Sequence, residues 1–124
     1  MVVPVLTSLD AAGLRELGYV GGSLAERIID RARATIACGC DGIIAAPRDN
    51  PHEIRHAAGA EGLLVVTPGI RPAGTSADDH KRSGTPAQAI AAGADYLVVG
   101  RPIVNSDDPA GAAAHIIAEM RSAA

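Results

Sequence analysis

The 124-residue chain has no Phe and no Trp, and its only tyrosines are Tyr19 and Tyr96. A core without large aromatic anchors has to be filled by Ala, Ile, Leu and Val, which suits helices packed closely on a parallel sheet. Lysine is nearly as scarce: Lys81 stands alone, so the basic residues are almost all arginine. The net charge of -3 argues against a general nucleic-acid partner. The two cysteines, Cys38 and Cys40, lie one residue apart, a poor spacing for a disulfide, and no Cys/His set of zinc spacing surrounds them. They read as small buried apolar residues at a helix end, and nothing here requires an oxidising compartment. No apolar run approaches the roughly 20 residues that span a bilayer, and strand-like residues rather than a leader follow Met1. The expectation is a cytoplasmic protein with no membrane partner.

What the chain does have is a pair of apolar runs that stop abruptly. Leu63-Leu64-Val65-Val66-Thr67 ends at Pro68-Gly69-Ile70-Arg71, and Tyr96-Leu97-Val98-Val99 ends at Gly100-Arg101-Pro102-Ile103. A short continuous apolar run bounded by turn residues predicts a strand buried on both faces, as in parallel sheets, whose carboxyl ends receive ligands. Glycine there lets a ligand approach the backbone, and arginine offers a planar fork to an anion. Two such ends on successive strands predict a phosphate pocket.

Further strands are expected over Val2 to Leu6, despite Pro4, and over Gly42 to Ala46. Ser23 with Glu26 forms a capping box ahead of a helix whose Leu24, Ile28, Ala32 and Ile36 share a face. Asn50-Pro51 predicts a helix with Asn as its cap, Thr85-Pro86-Ala87-Gln88 opens another, and Asp108-Pro109 opens the last. A shorter helix or helical loop covers Leu9 to Leu17. A repeat links these elements: Gly39, Gly59 and Gly93 each follow a helix and are followed by one small residue, an acid and a strand. Each repeat reads as a helix returning to a parallel strand by a tight turn, with Asp41, Glu61 and Asp95 structural at the strands' amino ends.

The order is therefore β-α-β-α-β-α-β-α. A full eight-unit barrel takes about 250 residues, so four units match half of one. Four parallel strands alone leave two unpaired edges, so the expected architecture is a single (β/α)4 half-barrel over residues 1–124, completed by a second copy or a missing half. The alternative is a flavodoxin-like open sheet.

Val5-Leu6-Thr7-Ser8, Val66-Thr67-Pro68-Gly69-Ile70-Arg71-Pro72, Asp78-Asp79-His80-Lys81-Arg82, Thr85-Pro86 and Val99-Gly100-Arg101-Pro102-Ile103 together resemble orotidine 5′-phosphate decarboxylase. The order and spacing of five motifs carry the resemblance, which matches strands five to eight, the carboxyl-terminal half of that family's barrel. It implies conversion of orotidine 5′-phosphate to UMP and carbon dioxide without cofactor or metal, in pyrimidine biosynthesis. It implies that Thr7 and Ser8 meet the nucleotide base, that Pro68 and Arg71 lie near the substrate, and that Gly100 and Arg101 hold the phosphate. The family's phosphate-binding glutamine is replaced by His80, which can still donate a hydrogen bond. The family's catalytic Asp-Lys-x-x-Asp set is absent, and Lys81 has no acid at the required spacing, so the chain has no catalytic residue to offer and is expected to be inactive alone. The implied partners are a nucleotide monophosphate or phosphate, and either a second copy or an amino-terminal half. The alternative is a non-catalytic half-barrel that self-associates and binds phosphate compounds; a hexulose-phosphate synthase is a third reading.

Overall fold

The computed structural model describes residues 1–73 and 82–123. In order, the elements are α1 (Ala11–Glu16), α2 (Leu24–Ala37), β1 (Gly42–Ile44), a 3-10 turn (Pro47–Asp49), α3 (Pro51–Ala58), β2 (Leu64–Thr67), α4 (Pro86–Ala91), β3 (Tyr96–Leu97), α5 (Arg101–Val104) and α6 (Pro109–Arg121). The strands pair in parallel in the order β1-β2-β3, and Val2 adds a parallel bridge to Ile43 outside β1. Strands laid down in sequence order, with no reversal, are singly wound. A flavodoxin-like sheet would require the order to reverse at a switch point. The fold is thus α/β of the half-barrel type.

Local chemistry sets the helix ends. The Ser23 hydroxyl accepts the Glu26 amide at 3.1 Å while the Glu26 carboxylate accepts the Ser23 amide at 2.6 Å. Thr85 and Gln88 repeat the reciprocal arrangement at the start of α4. The three repeat glycines take left-handed backbone, with φ of 74° at Gly39, 67° at Gly59 and 98° at Gly93, so each stops its helix and turns the chain toward the next strand.

Register then builds the core. Ile43 and Val65 are direct partners, and both are fully buried beneath the helices with Ile28, Ala32 and Ile54. Burial of each Ile or Val side chain here stabilises by about 1.5–3 kcal/mol. A second, smaller cluster joins Ile70, Ala89 and Ala94. The alternate positions face the other way: Ile44, Val66 and Tyr96 lie in one register row, and Tyr96 is 59% exposed. Leu64 and Val98 are also exposed, so this sheet face carries no helix among the described residues.

Several expectations need correction. The strand foreseen over Val2 to Leu6 shrinks to the single bridge at Val2, because Pro4 has no amide to donate and is itself buried. The strand foreseen to Gly100 ends at Leu97, although the Val98 amide still reaches the Thr67 carbonyl at 2.9 Å. Asn50 caps α3 without its side chain: it sits at φ 54°, and its amide group turns to Glu53 at 3.2 Å instead. The cysteines are not buried. Cys38 is exposed and Cys40 half-buried, because Gly39 turns the chain at the surface between them.

Candidate functional site

The parallel arrangement brings the ends of the Val2 segment, β1, β2 and β3 to one edge of the sheet. Thr7 and Ser8 occupy the middle of a turn closed by the Leu9 amide on the Leu6 carbonyl at 3.0 Å. Thr7 is half-buried and Ser8 exposed. Neither caps the following helix. Asp10 does so, accepting the Gly13 amide at 2.8 Å.

Pro68 follows β2 directly and is half-buried. Gly69 takes φ 75°, and the chain then runs beside its own return: the Arg71 amide donates to the Gly84 carbonyl at 2.9 Å, with Ile70 and Gly84 bridged in parallel. The Arg71 side chain is 9% exposed and donates from Nη1 to the Ile70 carbonyl at 2.7 Å. Its guanidinium is therefore packed inward at the root of the loop. His80, with Asp78, Asp79 and Lys81, lies outside the described residues.

Gly100 and Arg101 come after β3, both exposed. Sequence reasoning took them for the end of a strand. They instead open α5, with Gly100 as its cap and Pro102 in its first turn. Pro102 signals this helix start, being suited to the first turn by its fixed φ and missing amide.

The acids of the helix-strand repeat sit at the opposite edge of the sheet. Asp95 accepts the Val65 amide at 2.7 Å and pairs with Arg55, a structural use as expected. His52, His56 and His115 are exposed, as expected for the outer layer.

Two residues beside the candidate site were given no role from the sequence. Asp49 and Arg82 form an ion pair with side chains 4% and 8% exposed. Burial pushes the Asp49 carboxyl above its ordinary value, opposed by the charge of Arg82 and by hydrogen bonds from Arg82 and Ala46. The two are 33 positions apart, and no local spacing links them. Among the described residues no group of His, Cys, Asp or Glu side chains converges as a metal-binding set. None of their helices is long and apolar enough to cross a membrane.

Residues 1–116 match the family model described as orotidine 5′-phosphate decarboxylase / HUMPS family. The chain is 52% identical over 120 residues to the orotidine 5′-phosphate decarboxylase of Afipia carboxidovorans, covering 97% of this chain and 50% of that protein. It is 50% identical over 123 residues to that of a Methylobacterium species, covering 99% and 51%. Among solved structures, an orotidine 5′-phosphate decarboxylase from Lactobacillus acidophilus superposes with a TM-score of 0.70 at 32% identity, over 96% of this chain and 48% of that one. An uncharacterised conserved protein from Geobacillus kaustophilus superposes at 0.72 with 27% identity, over 95% and 46%. The chain thus spans about half the length of the relatives it matches. With a family match over residues 1–116 and relatives about half identical over nearly all its length, the chain belongs to the orotidine 5′-phosphate decarboxylase / HUMPS family.

Proposed function

We propose that this chain supplies the carboxyl-terminal half, strands five to eight, of an orotidine 5′-phosphate decarboxylase barrel. In this reading Thr7 and Ser8 meet the base, Pro68 and Arg71 flank the substrate, and His80, Gly100 and Arg101 hold the phosphate. The observation that supports it best is the parallel sheet, which sets the Thr7-Ser8 turn, the Pro68-Gly69 end and the Gly100-Arg101 end along one edge. The reaction releases the substrate carboxylate as carbon dioxide, and a proton takes its place to give UMP. The carbanionic charge that develops needs a cation beside it. The chain's own lysine, Lys81, has no acid partner at the family spacing, so catalysis awaits the Lys and Asp set of an amino-terminal half. We place this work in the cytoplasm, with no metal or cofactor.

The test is to assay orotidine 5′-phosphate decarboxylation with the chain alone and after mixing with the amino-terminal half of a relative. No turnover alone and measurable turnover in the mixture are expected. Substantial turnover by the chain itself would refute the division of labour.

A second reading is a non-catalytic half-barrel that pairs with its own copy and binds phosphate compounds. The exposed Leu64, Tyr96 and Val98 on the bare sheet face favour it. Binding of UMP with self-association, and no activity in any mixture, would select this reading over the first.

A further inference from the structure

The Val2 segment's end and the end of β1 meet at one buried cation that the binding roles above do not employ. Arg82 pairs through Nη1 with Asp49 and donates from Nη2 to the Leu6 carbonyl at 2.9 Å. The second Asp49 oxygen accepts the Ala46 amide at 2.8 Å, which ties the pair to the end of β1. The Leu6 carbonyl that takes the Arg82 bond is the same one that takes the Leu9 amide, so Arg82 braces the turn whose middle residues are Thr7 and Ser8. The surroundings leave it little freedom. Arg48 donates to the Ser83 carbonyl at 3.1 Å, and a Cβ on Gly84 would stand 2.7 Å from Pro47 Cβ.

A buried ion pair is weak evidence for a stabilising role, since well-packed apolar residues of similar volume are often as stable or more so. What the guanidinium adds here is direction. Its planar fork holds a carboxylate and a carbonyl at once, at fixed angles, which a lysine ammonium cannot reproduce. Arg82 reaches Leu6 across 76 positions, so the contact joins the two ends of the site and does not close a local turn.

We propose that Arg82, held by Asp49, is a positioning residue that sets the Leu6–Leu9 turn so that Thr7 and Ser8 meet the base of a bound nucleotide. This rests on the reading that assigns the base to Thr7-Ser8 and the phosphate to Gly100-Arg101. The test titrates UMP and the base-free ligand ribose 5-phosphate into the full chain, with amide exchange at Leu9 and thermal melting followed in parallel. Arg82→Lys is expected to weaken UMP about tenfold, the effect of one charged hydrogen bond, to leave ribose 5-phosphate affinity unchanged and to speed exchange at Leu9. A purely structural role would weaken both ligands together. The double variant Arg82→Met/Asp49→Leu removes both charges, so it guards against a fold lost to an unpaired one; it is expected to melt near the wild type and still lose its preference for UMP. Unchanged UMP affinity in a folded variant, or parallel loss of both ligands, overturns the inference alone. A wild type that binds neither ligand overturns the nucleotide reading and the inference with it.

Discussion

Arg55 on α3 and Asp95 at the amino end of β3 form a clamp across 40 positions: the arginine also donates to the carbonyls of Leu63 at 2.8 Å and Gly93 at 2.7 Å, while Asp95 accepts the Val65 amide. One guanidinium thus holds the approaches to β2 and β3 in register, on the edge away from the candidate site. Arg55→Ala leaves these acceptors bare. The expected cost is about 3 kcal/mol, the lower end for a broken buried pair because the Asp95 side chain is partly exposed. The midpoint of chemical denaturation reads it, and UMP affinity of the folded fraction should not change.

The repeat glycines should differ in their tolerance of a side chain. Gly59 and Gly93 both hold positive φ, but a Cβ at Gly59 meets nothing within 4 Å, while one at Gly93 falls 2.8 Å from the His52 ring. Gly59→Ala should cost about 1–2 kcal/mol, the strain of left-handed backbone. Gly93→Ala should cost more, and adding His52→Ala should recover the excess but not the backbone part. A double-mutant cycle on melting data would show whether the ring carries the difference.

Acid should loosen the start of α2. The bonds from Ser23 hold the Glu26 carboxyl below its ordinary 4.5. A carboxyl lowered on folding contributes stability that is full above its unfolded value and is lost as pH falls through the lower, folded one. Asp49 has the opposite sign: its carboxyl is raised above 3.8, so its contribution is full below that value and declines as pH rises through the folded one. Carboxyl-carbon titration by NMR should give midpoints on the two sides of these reference values, and Glu26→Gln should remove the acid-side dependence at α2.

If Gly100-Arg101 holds the phosphate as proposed, Arg101→Ala should weaken UMP binding by about 1.5–3 kcal/mol, the range for a charged hydrogen bond. His80→Gln should preserve or improve affinity and flatten its pH dependence near the imidazole value. Calorimetric titrations of the three proteins decide it. Equal affinity in wild type and Arg101→Ala would mean that the phosphate lies elsewhere.

The bare sheet face should drive association. Tyr96 and Val98 are 59% and 52% exposed. Sedimentation at micromolar concentration is expected to show a dimer, and Tyr96→Lys with Val98→Lys should shift it toward monomer without lowering the melting point of the monomer itself. A stable wild-type monomer that binds no apolar dye would count against this.

The features legible in the amino-acid sequence are those closed within a few residues. Ser23 and Glu26, Thr85 and Gln88, and Asp108 at the head of α6 cap their helices through bonds spanning three positions. The glycines at 39, 59 and 93 stop their helices through the left-handed backbone at that one residue. The family motifs were legible for the same reason, as short runs at strand ends. Tertiary structure decided the rest. Pro4 withdrew most of the first strand from the sheet, where an amide was needed for a partner in β1 far along the chain. Arg71 turned inward, and Arg55 and Arg82 found Asp95 and Asp49. A guanidinium reads the same in sequence whether it faces solvent, a ligand or a buried carboxylate. Only the topology, by laying the strands in parallel and packing their connecting loops together, determines which acceptor comes within reach.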